Sequence, residues 1–177
     1  GLILGFLAAG LFFVLPTELS YWSRAIIVVG VGMLFTGGFH EDGLSDTADA
    51  LGGAYERDGV LRILKDSRVG AFGALALVIV VLLRISLLAD LETKMWLGLI
   101  LGQSLSRAMS VLQLAMVPYA RRDDEKSKSR DVAISGPVQA LSALFWIAAI
   151  SAGALVWGVS WTTIISFLSV LLATKEM

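Results

Sequence analysis

The sequence contains no cysteine and a single histidine among its 177 residues. Because cysteine is absent, both a disulfide framework and a thiolate metal site are excluded. Charged residues are also scarce, at 16%, and the net charge is −1. This balance lacks the excess positive charge that general binding to nucleic acid requires, so we expect no nucleic-acid partner.

Apolar residues, by contrast, make up 56% of the chain and occur in long blocks. This composition predicts an all-α, polytopic integral membrane protein in the lipid bilayer, with residues 1–177 forming a single domain. We expect about six transmembrane helices, at residues 1–15, 25–39, 69–89, 95–117, 138–159 and 161–173. The chain begins inside one apolar run and ends just after another, so we expect it to be a piece of a longer protein.

The Lys and Arg residues predict the orientation of these helices. Of the 14 basic residues, ten lie in the polar loops 37–68 and 118–137 or at Lys175, two lie in the intervening loops, and two lie inside apolar segments. Basic residues are normally retained on the cytoplasmic side of a membrane. Both polar loops are therefore predicted to face the cytoplasm.

The first polar loop opens with an acidic run, GGFHEDGLSDTADALGG, at residues 37–53. Asp42, Asp46 and Asp49 follow the spacing i, i+4, i+7, which places them on one side of a helix. Three carboxylates on one stripe repel each other unless a cation holds them, and hard oxygen ligands suit Mg²⁺ bound to substrate phosphates. The alternative is an ordinary solvated loop between membrane helices.

Further polar residues qualify as parts of such a site. Asp66 and Arg68, at the start of the third apolar segment, could close a metal and phosphate site from the opposite side; the alternative for Arg68 is an ordinary flanking charge on the cytoplasmic side. His40, beside Asp42, is expected to orient a hydrogen bond in the catalytic set and not to bind the metal. The start of the second polar loop offers further contacts for an anionic substrate, at Tyr119, Arg121 and Arg122.

Two arginines interrupt apolar segments, where a charge costs at least about 2.5 to 3.5 kcal/mol at the bilayer centre. Arg107 lies near the middle of its segment, so a polar cavity and a role in binding phosphate are expected; a structural partner is the alternative. Arg84 lies nearer the outer end of its segment, and its side chain is expected to extend to the interface.

These residues carry a family resemblance. The acidic run and the segment KDSRVGAFGALAL at residues 65–77 closely resemble the cobalamin synthases, and SLSRAMSVLQLAM and PYARR resemble later family segments more loosely. Family members often have Ala where this chain has Ser45, and Gly where it has Ala50. The Gly-Thr-Gly-Asp-type motif that the family carries near its C-terminus is absent from these 177 residues.

The resemblance implies an enzyme of the bacterial inner membrane that joins adenosylcobinamide-GDP to α-ribazole or α-ribazole 5′-phosphate. It implies Mg²⁺ held by Asp42, Asp46 and Asp49, with Arg68 and Arg107 balancing the phosphates. A ribazole hydroxyl attacks the phosphorus attached to cobinamide, and GMP leaves. The candidate catalytic residues are Asp49, Asp66 and His40, and the base is left open among the three stripe aspartates and Asp66.

Two other functions fit parts of the pattern. A CDP-alcohol phosphotransferase also uses clustered aspartates at the membrane face, but its D-G-x-x-A-R pattern is not met after Asp42 and Gly43, because no arginine follows. An ion-coupled transporter would use charges within the bilayer. Here, however, the carboxylates cluster in one polar loop.

Overall fold

The computed structural model describes residues 1–66, 68–116 and 137–156, and within these ranges it contains helices but no β-strand. The all-α prediction is thus confirmed for this part of the chain. A short 3₁₀ turn, Glu92–Lys94, precedes the sixth helix. The α-helices are α1 Leu2–Val14, α2 Tyr21–Thr36, α3 Phe39–Gly53, α4 Arg57–Ile63, α5 Ala71–Asp90, α6 Met95–Met116 and α7 Pro137–Val156.

The chain divides into two compact units, one of which spans Leu7–Gly98. In this unit α5 packs against both α2 and α3, and α4 packs against α3. The other unit combines Gly1–Phe6 with the chain from Leu99 onward. Its core is formed by Leu105 and Met109 of α6 together with Ile147 of α7. The expectation of a single domain stays a prediction.

A pair of glycines separates α2 from α3. Gly37 and Gly38 both have left-handed backbones, with φ of 65° and 67°, which glycine adopts without steric cost. Their N–H groups donate to the carbonyl oxygens of Leu34 and Met33 and so close the end of α2. The second apolar segment was predicted to continue to residue 39; instead the helix ends at Thr36, and α3 leaves at an angle of 87°.

The polar loop 37–68 is mostly helical. The acidic run forms α3, and the amphipathic segment that follows it forms α4. The sequence already predicted the helical stripe in the first. The second polar loop and the apolar segment 161–173 lie outside the described residues, apart from Pro137, which begins α7.

Asp49 joins α3 to the beginning of α5. Its two carboxylate oxygens accept hydrogen bonds from the backbone N–H groups of Gly70, at 2.7 Å, and Gly73, at 2.8 Å. A helix N-terminus has unpaired N–H groups and a partial positive charge. A buried carboxylate there accepts hydrogen bonds from the N–H groups and interacts favourably with the positive charge. A Cβ atom on either glycine would overlap this carboxylate, which explains why both positions are glycine.

Arg24 makes a second joint, between the end of α1 and the start of α2. Its side chain is buried, Nη2 donates to the carbonyl oxygen of Leu15 at 2.9 Å, and the guanidinium lies 4.6 Å from the centroid of the Phe12 ring. The arginine therefore satisfies a carbonyl group at a helix C-terminus and stacks on an aromatic face. This contact is structural and lies away from the acidic helix.

One described helix, α5, is by itself long and apolar enough to cross a membrane. The pair α2 and α3 meets the same criterion only when the two helices are taken together across their bend. Two shorter apolar helices are present, α1 and the segment Val138–Gly153 of α7. The arrangement of six spans stays a prediction.

Replacing Gly73 by Ala tests the joint between α3 and α5. The added methyl group would overlap both the Asp49 carboxylate and the Ser45 hydroxyl. We expect a loss of about 1–3 kcal/mol of stability from this overpacking, seen as a lower melting temperature in detergent. Gly32→Ala in α2 is the matched control, because no described atom outside the local backbone of α2 lies within 4 Å of its added Cβ. Equal melting temperatures for Gly73→Ala and the unmodified protein would contradict the described joint.

Candidate active site

Helix α3 places the three predicted metal ligands along one side, but in different environments. Asp42 is exposed, Asp46 is half-buried and Asp49 is buried. In the part of the chain that the structure describes, no three His, Asp or Glu side chains are arranged to hold one ion together. A site shared by all three carboxylates therefore stays a prediction. The Asp49 carboxylate does not point to the other two in a common site because it is bonded to α5.

Asp49 differs from the other two aspartates because its oxygens already accept hydrogen bonds from α5. Each oxygen keeps a second lone pair, but the buried side chain, 9% exposed, is fixed by these bonds. A carboxylate held in this way orients the helix that carries it. The pair that best fits a hard divalent cation is therefore Asp42 and Asp46, one turn apart and nearer to solvent.

The charges of the stripe act on Asp46. Burial raises the pKa of the Asp46 carboxyl above its ordinary value, and the negative charges of Asp42 and Asp49 raise this pKa further. The raised pKa means that the ionised form is disfavoured in the folded protein. A bound cation would relieve this repulsion, so the electrostatics of the stripe fit a metal at Asp42 and Asp46.

A cavity of about 590 Å³ lies beside the Gly37–Gly38 bend. We call it the bend cavity. Its polar side chains include Glu41, Asp42 and Ser45 from one side of α3. Glu41 Oε2 and the Ser45 hydroxyl are both buried, and neither has a hydrogen-bond partner among the described residues. The other lining residues are Thr36, Gly37, Gly38, Phe39, Val69 and Leu77.

Glu41 is a site residue that the sequence analysis missed. Its Oε1 lies 3.6 Å from Nη1 of Arg84, which projects from the apolar helix α5. Arg84 was expected to extend to the membrane interface; in the structure its guanidinium reaches an acidic partner in the bend cavity. An arginine within an apolar helix needs an acidic partner. The sequence offered one in Glu41, the acid next to Asp42, and this was the signal that could have identified the pair.

Asp66 and Arg68 pair with each other. Arg68 Nη2 donates to Asp66 Oδ2 at 2.6 Å, and Arg68 Nε donates to Asp66 Oδ1 at 3.0 Å. The Arg68 side chain is 87% exposed. Hydrogen bonds from Arg68 lower the pKa of the Asp66 carboxyl, which makes Asp66 a weaker proton acceptor near neutral pH.

The remaining predicted residues lie elsewhere or outside the described part of the chain. His40 is exposed, and its ring meets the Phe39 ring edge-on at 5.6 Å between centroids. Arg107, in the unit that includes α7, donates to the backbone oxygen of Gln103 at 3.2 Å and contacts the side-chain oxygen of the same residue. It lines a cavity of about 420 Å³ with Ser104. Outside the described residues are Tyr119, Arg121 and Arg122.

Replacing Asp46 by Asn should raise the melting temperature of the metal-free protein at pH 7. A folded-state pKa above the unfolded value means that Asp46 contributes most to stability when protonated and that this contribution is lost as the pH rises through the folded pKa. The amide removes that dependence. The gain in melting temperature should shrink as the pH is lowered toward 4. A lower melting temperature for Asp46→Asn at pH 7 would contradict the repulsion between Asp46 and the other two carboxylates.

Comparison with known proteins identifies relatives of the chain. It matches the cobalamin-5-phosphate synthase family over residues 1–177. Three similar curated proteins, all named adenosylcobinamide-GDP ribazoletransferase, come from Shewanella piezotolerans, Shewanella amazonensis and Shewanella pealeana. Their identities to the chain are 41%, 42% and 40%, over 85%, 76% and 81% of its length.

The chain spans only part of these relatives: the matched regions cover 60%, 53% and 57% of the three proteins, respectively. No solved structure matches it. The family match extends over the acidic helix, the bend cavity and the Asp49 joint. The chain belongs to the cobalamin-5-phosphate synthase family.

Proposed function

We propose that this chain carries the metal and acceptor site of an adenosylcobinamide-GDP ribazoletransferase, which joins adenosylcobinamide-GDP to α-ribazole or α-ribazole 5′-phosphate and releases GMP. The observation that carries the proposal is the bend cavity, which Glu41 and Asp42 line one turn before Asp46 on α3. The names of the relatives supply the substrates. The family match favours this reaction over a CDP-alcohol phosphotransferase or a transporter.

In this reaction a ribazole hydroxyl oxygen forms a bond to the phosphorus attached to cobinamide. The bond between that phosphorus and the bridging oxygen breaks, and GMP leaves with the bonding electrons. Asp42 and Asp46 would hold Mg²⁺, which when bound supplies charge neutralisation for the diphosphate and the departing GMP. Asp49 would position α3 through its bonds to α5.

The hydroxyl proton needs an acceptor within hydrogen-bond reach. Asp66 is a poor candidate because Arg68 lowers its pKa, and the oxygens of Asp49 face the N-terminus of α5. Of the two carboxylates that line the bend cavity, Asp42 is better placed, because Glu41 is paired with Arg84. Phosphate charge would be met by Arg68, the exposed arginine just before α5. The substrate contacts at Arg107, Tyr119, Arg121 and Arg122 stay predictions from the sequence.

We further propose a polytopic arrangement in the bacterial inner membrane, with the acidic motif of α3 facing the cytoplasm. Large apolar side chains on α5 are exposed, including Leu75 at 60% and Leu82 at 58%, as expected for a surface that faces lipid. The excess of Lys and Arg in loops 37–68 and 118–137 supports the cytoplasmic side. Magnesium and nucleotides are available there.

Single Asn substitutions separate the proposed roles of the three aspartates. Asp42→Asn and Asp46→Asn should lower GMP release by about 100-fold or more and raise the Mg²⁺ concentration needed, without lowering the melting temperature. Asp49→Asn places an amide before two N–H donors and should lower the melting temperature. The assay uses membranes with the full-length protein, adenosylcobinamide-GDP and α-ribazole 5′-phosphate.

Asp58→Asn, at an exposed position in the first turn of α4, is the matched control and should leave both readouts unchanged. Full activity in both Asp42→Asn and Asp46→Asn would contradict the proposed metal site. Loss of Mg²⁺ dependence in Asp49→Asn with an unchanged melting temperature would instead restore Asp49 as a ligand.

Introduced cysteines test the orientation, because the chain has none of its own. Cysteine at Ser67 or Ser127 should resist an impermeant thiol reagent in intact cells. Cysteine at the exposed Thr93, in the turn between α5 and α6, should react. All three should react after the cells are opened. Labelling of Ser67→Cys from outside would place the acidic helix on the wrong face.

A further inference from the structure

The bend cavity contains two buried oxygen atoms that no described part of the protein satisfies. Ser45, one turn after Glu41 on α3, is 2% exposed, and its hydroxyl has no hydrogen-bond partner among the described residues. Glu41 Oε2 is buried in the same way. Buried polar atoms are nearly always hydrogen-bonded in folded proteins, so two unpaired atoms in one cavity point to a polar ligand.

The protein fixes Glu41 in place. Arg84 approaches its other oxygen, Oε1, at 3.6 Å, and the Glu41 side chain is 20% exposed. The second oxygen, Oε2, is buried and has no hydrogen-bond partner among the described residues. The Ser45 hydroxyl lies against Gly73 at the start of α5. Glu41 and Ser45 are one turn apart on α3, at the spacing i, i+4, and both line the bend cavity together with Asp42.

The chemistry of the pair favours a hydroxylated ligand over a metal ion. An ionised carboxylate only accepts hydrogen bonds, whereas a serine hydroxyl both donates and accepts. Two neighbouring sugar hydroxyls match both, since one donates to Glu41 and the other either accepts a hydrogen bond from Ser45 or donates one to it. Glu41 is already paired with the Arg84 cation, and the described residues offer no group of three acidic or histidine side chains for an ion. A volume of about 590 Å³ also exceeds what one ion needs.

We propose that the bend cavity binds the ring hydroxyls of the ribose of the acceptor substrate, with Glu41 accepting a hydrogen bond from one hydroxyl and Ser45 bonding its neighbour. This inference rests on the proposed function. The acceptor is chosen because Asp42 belongs to both the cavity and the metal-binding pair, so a sugar seated here lies beside the phosphorus to be attacked. If the 5′-phosphate is also an acceptor, the attacking oxygen must be a ring hydroxyl, which this seat would present.

The first test is Ser45→Ala in the full-length protein. Because the hydroxyl has no hydrogen-bond partner in the described part of the chain, its removal should leave the melting temperature unchanged or raise it. The KM for α-ribazole should rise about 3- to 10-fold, as expected for one lost hydrogen bond, while the KM for adenosylcobinamide-GDP stays constant. Thr47→Val is the matched control: that hydroxyl is exposed on the same helix and bonds only to the Gly43 carbonyl among the described contacts, so neither KM should change.

The second test measures binding without turnover, by titration calorimetry of α-ribazole and its 2′,3′-dideoxy analogue into the detergent-solubilised full-length protein. The analogue should bind at least about 10-fold more weakly than α-ribazole. Glu41→Gln and Ser45→Ala should both reduce that difference, because each removes a partner of the ring hydroxyls. The Ser45→Ala result stands alone if Glu41→Gln proves unstable after losing its bond to Arg84.

Distinct results separate the failures. An unmodified protein that releases no GMP from the two substrates refutes the proposed function. If the protein is active but Ser45→Ala and Glu41→Gln leave the binding and the KM of α-ribazole unchanged, the binding of the acceptor ribose in the bend cavity is refuted and the proposed function is not. A selective rise in the KM for adenosylcobinamide-GDP would show that the cavity holds a donor sugar instead. A selective shift in Mg²⁺ dependence would show a cation there, and both results overturn the proposal.

Discussion

The carboxylate of Asp49, set against the first N–H groups of α5, is the contact on which the geometry of the acidic helix depends. Two charge-assisted hydrogen bonds of 2.7 and 2.8 Å are each worth about 1.5–3 kcal/mol when buried. They lie where a helix end would otherwise leave its donors unsatisfied. Gly70 and Gly73 make room for the carboxylate. The segment KDSRVGAFG therefore supplies the two N–H donors and the space that the Asp49 side chain needs, although Asp49 lies more than 20 residues earlier in the chain.

A second contact, between Glu41 and Arg84, holds the beginning of the same helix. With both ends of α3 attached to α5, the side chains between them take defined positions. Asp42 and Asp46 stay nearer to solvent, and the repulsion that raises the pKa of Asp46 is retained. Functional sites commonly keep such local destabilisation, which a ligand then relieves. The contact of Asp49 with α5 thus stabilises the helix, whereas Asp42 and Asp46 on the same helix keep a repulsion that a bound cation would relieve.

Local patterns predicted much of this arrangement. The spacing of the aspartates predicted the helical stripe of α3. The bend at Gly37 and Gly38 was harder to place, because an apolar run continues through Phe39 and only the left-handed backbone ends the helix. The different roles of the three aspartates could not be read from spacing, since Asp49 is distinguished by contacts with residues 70 and 73. Arg84 and Glu41 are likewise far apart in sequence and meet only through packing.

We propose that Asp42 and Asp46 bind a divalent cation, while Asp49 fixes the position of the helix that carries them. Electron paramagnetic resonance of Mn²⁺, titrated into the full-length protein without substrates, tests this division directly because bound and aqueous ions give different signals. We predict that Asp46→Asn abolishes the bound fraction, whereas Asp49→Asn, measured below its lowered melting temperature, retains it. Loss of Mn²⁺ binding in Asp49→Asn with full binding in Asp46→Asn would contradict this division of roles between the aspartates.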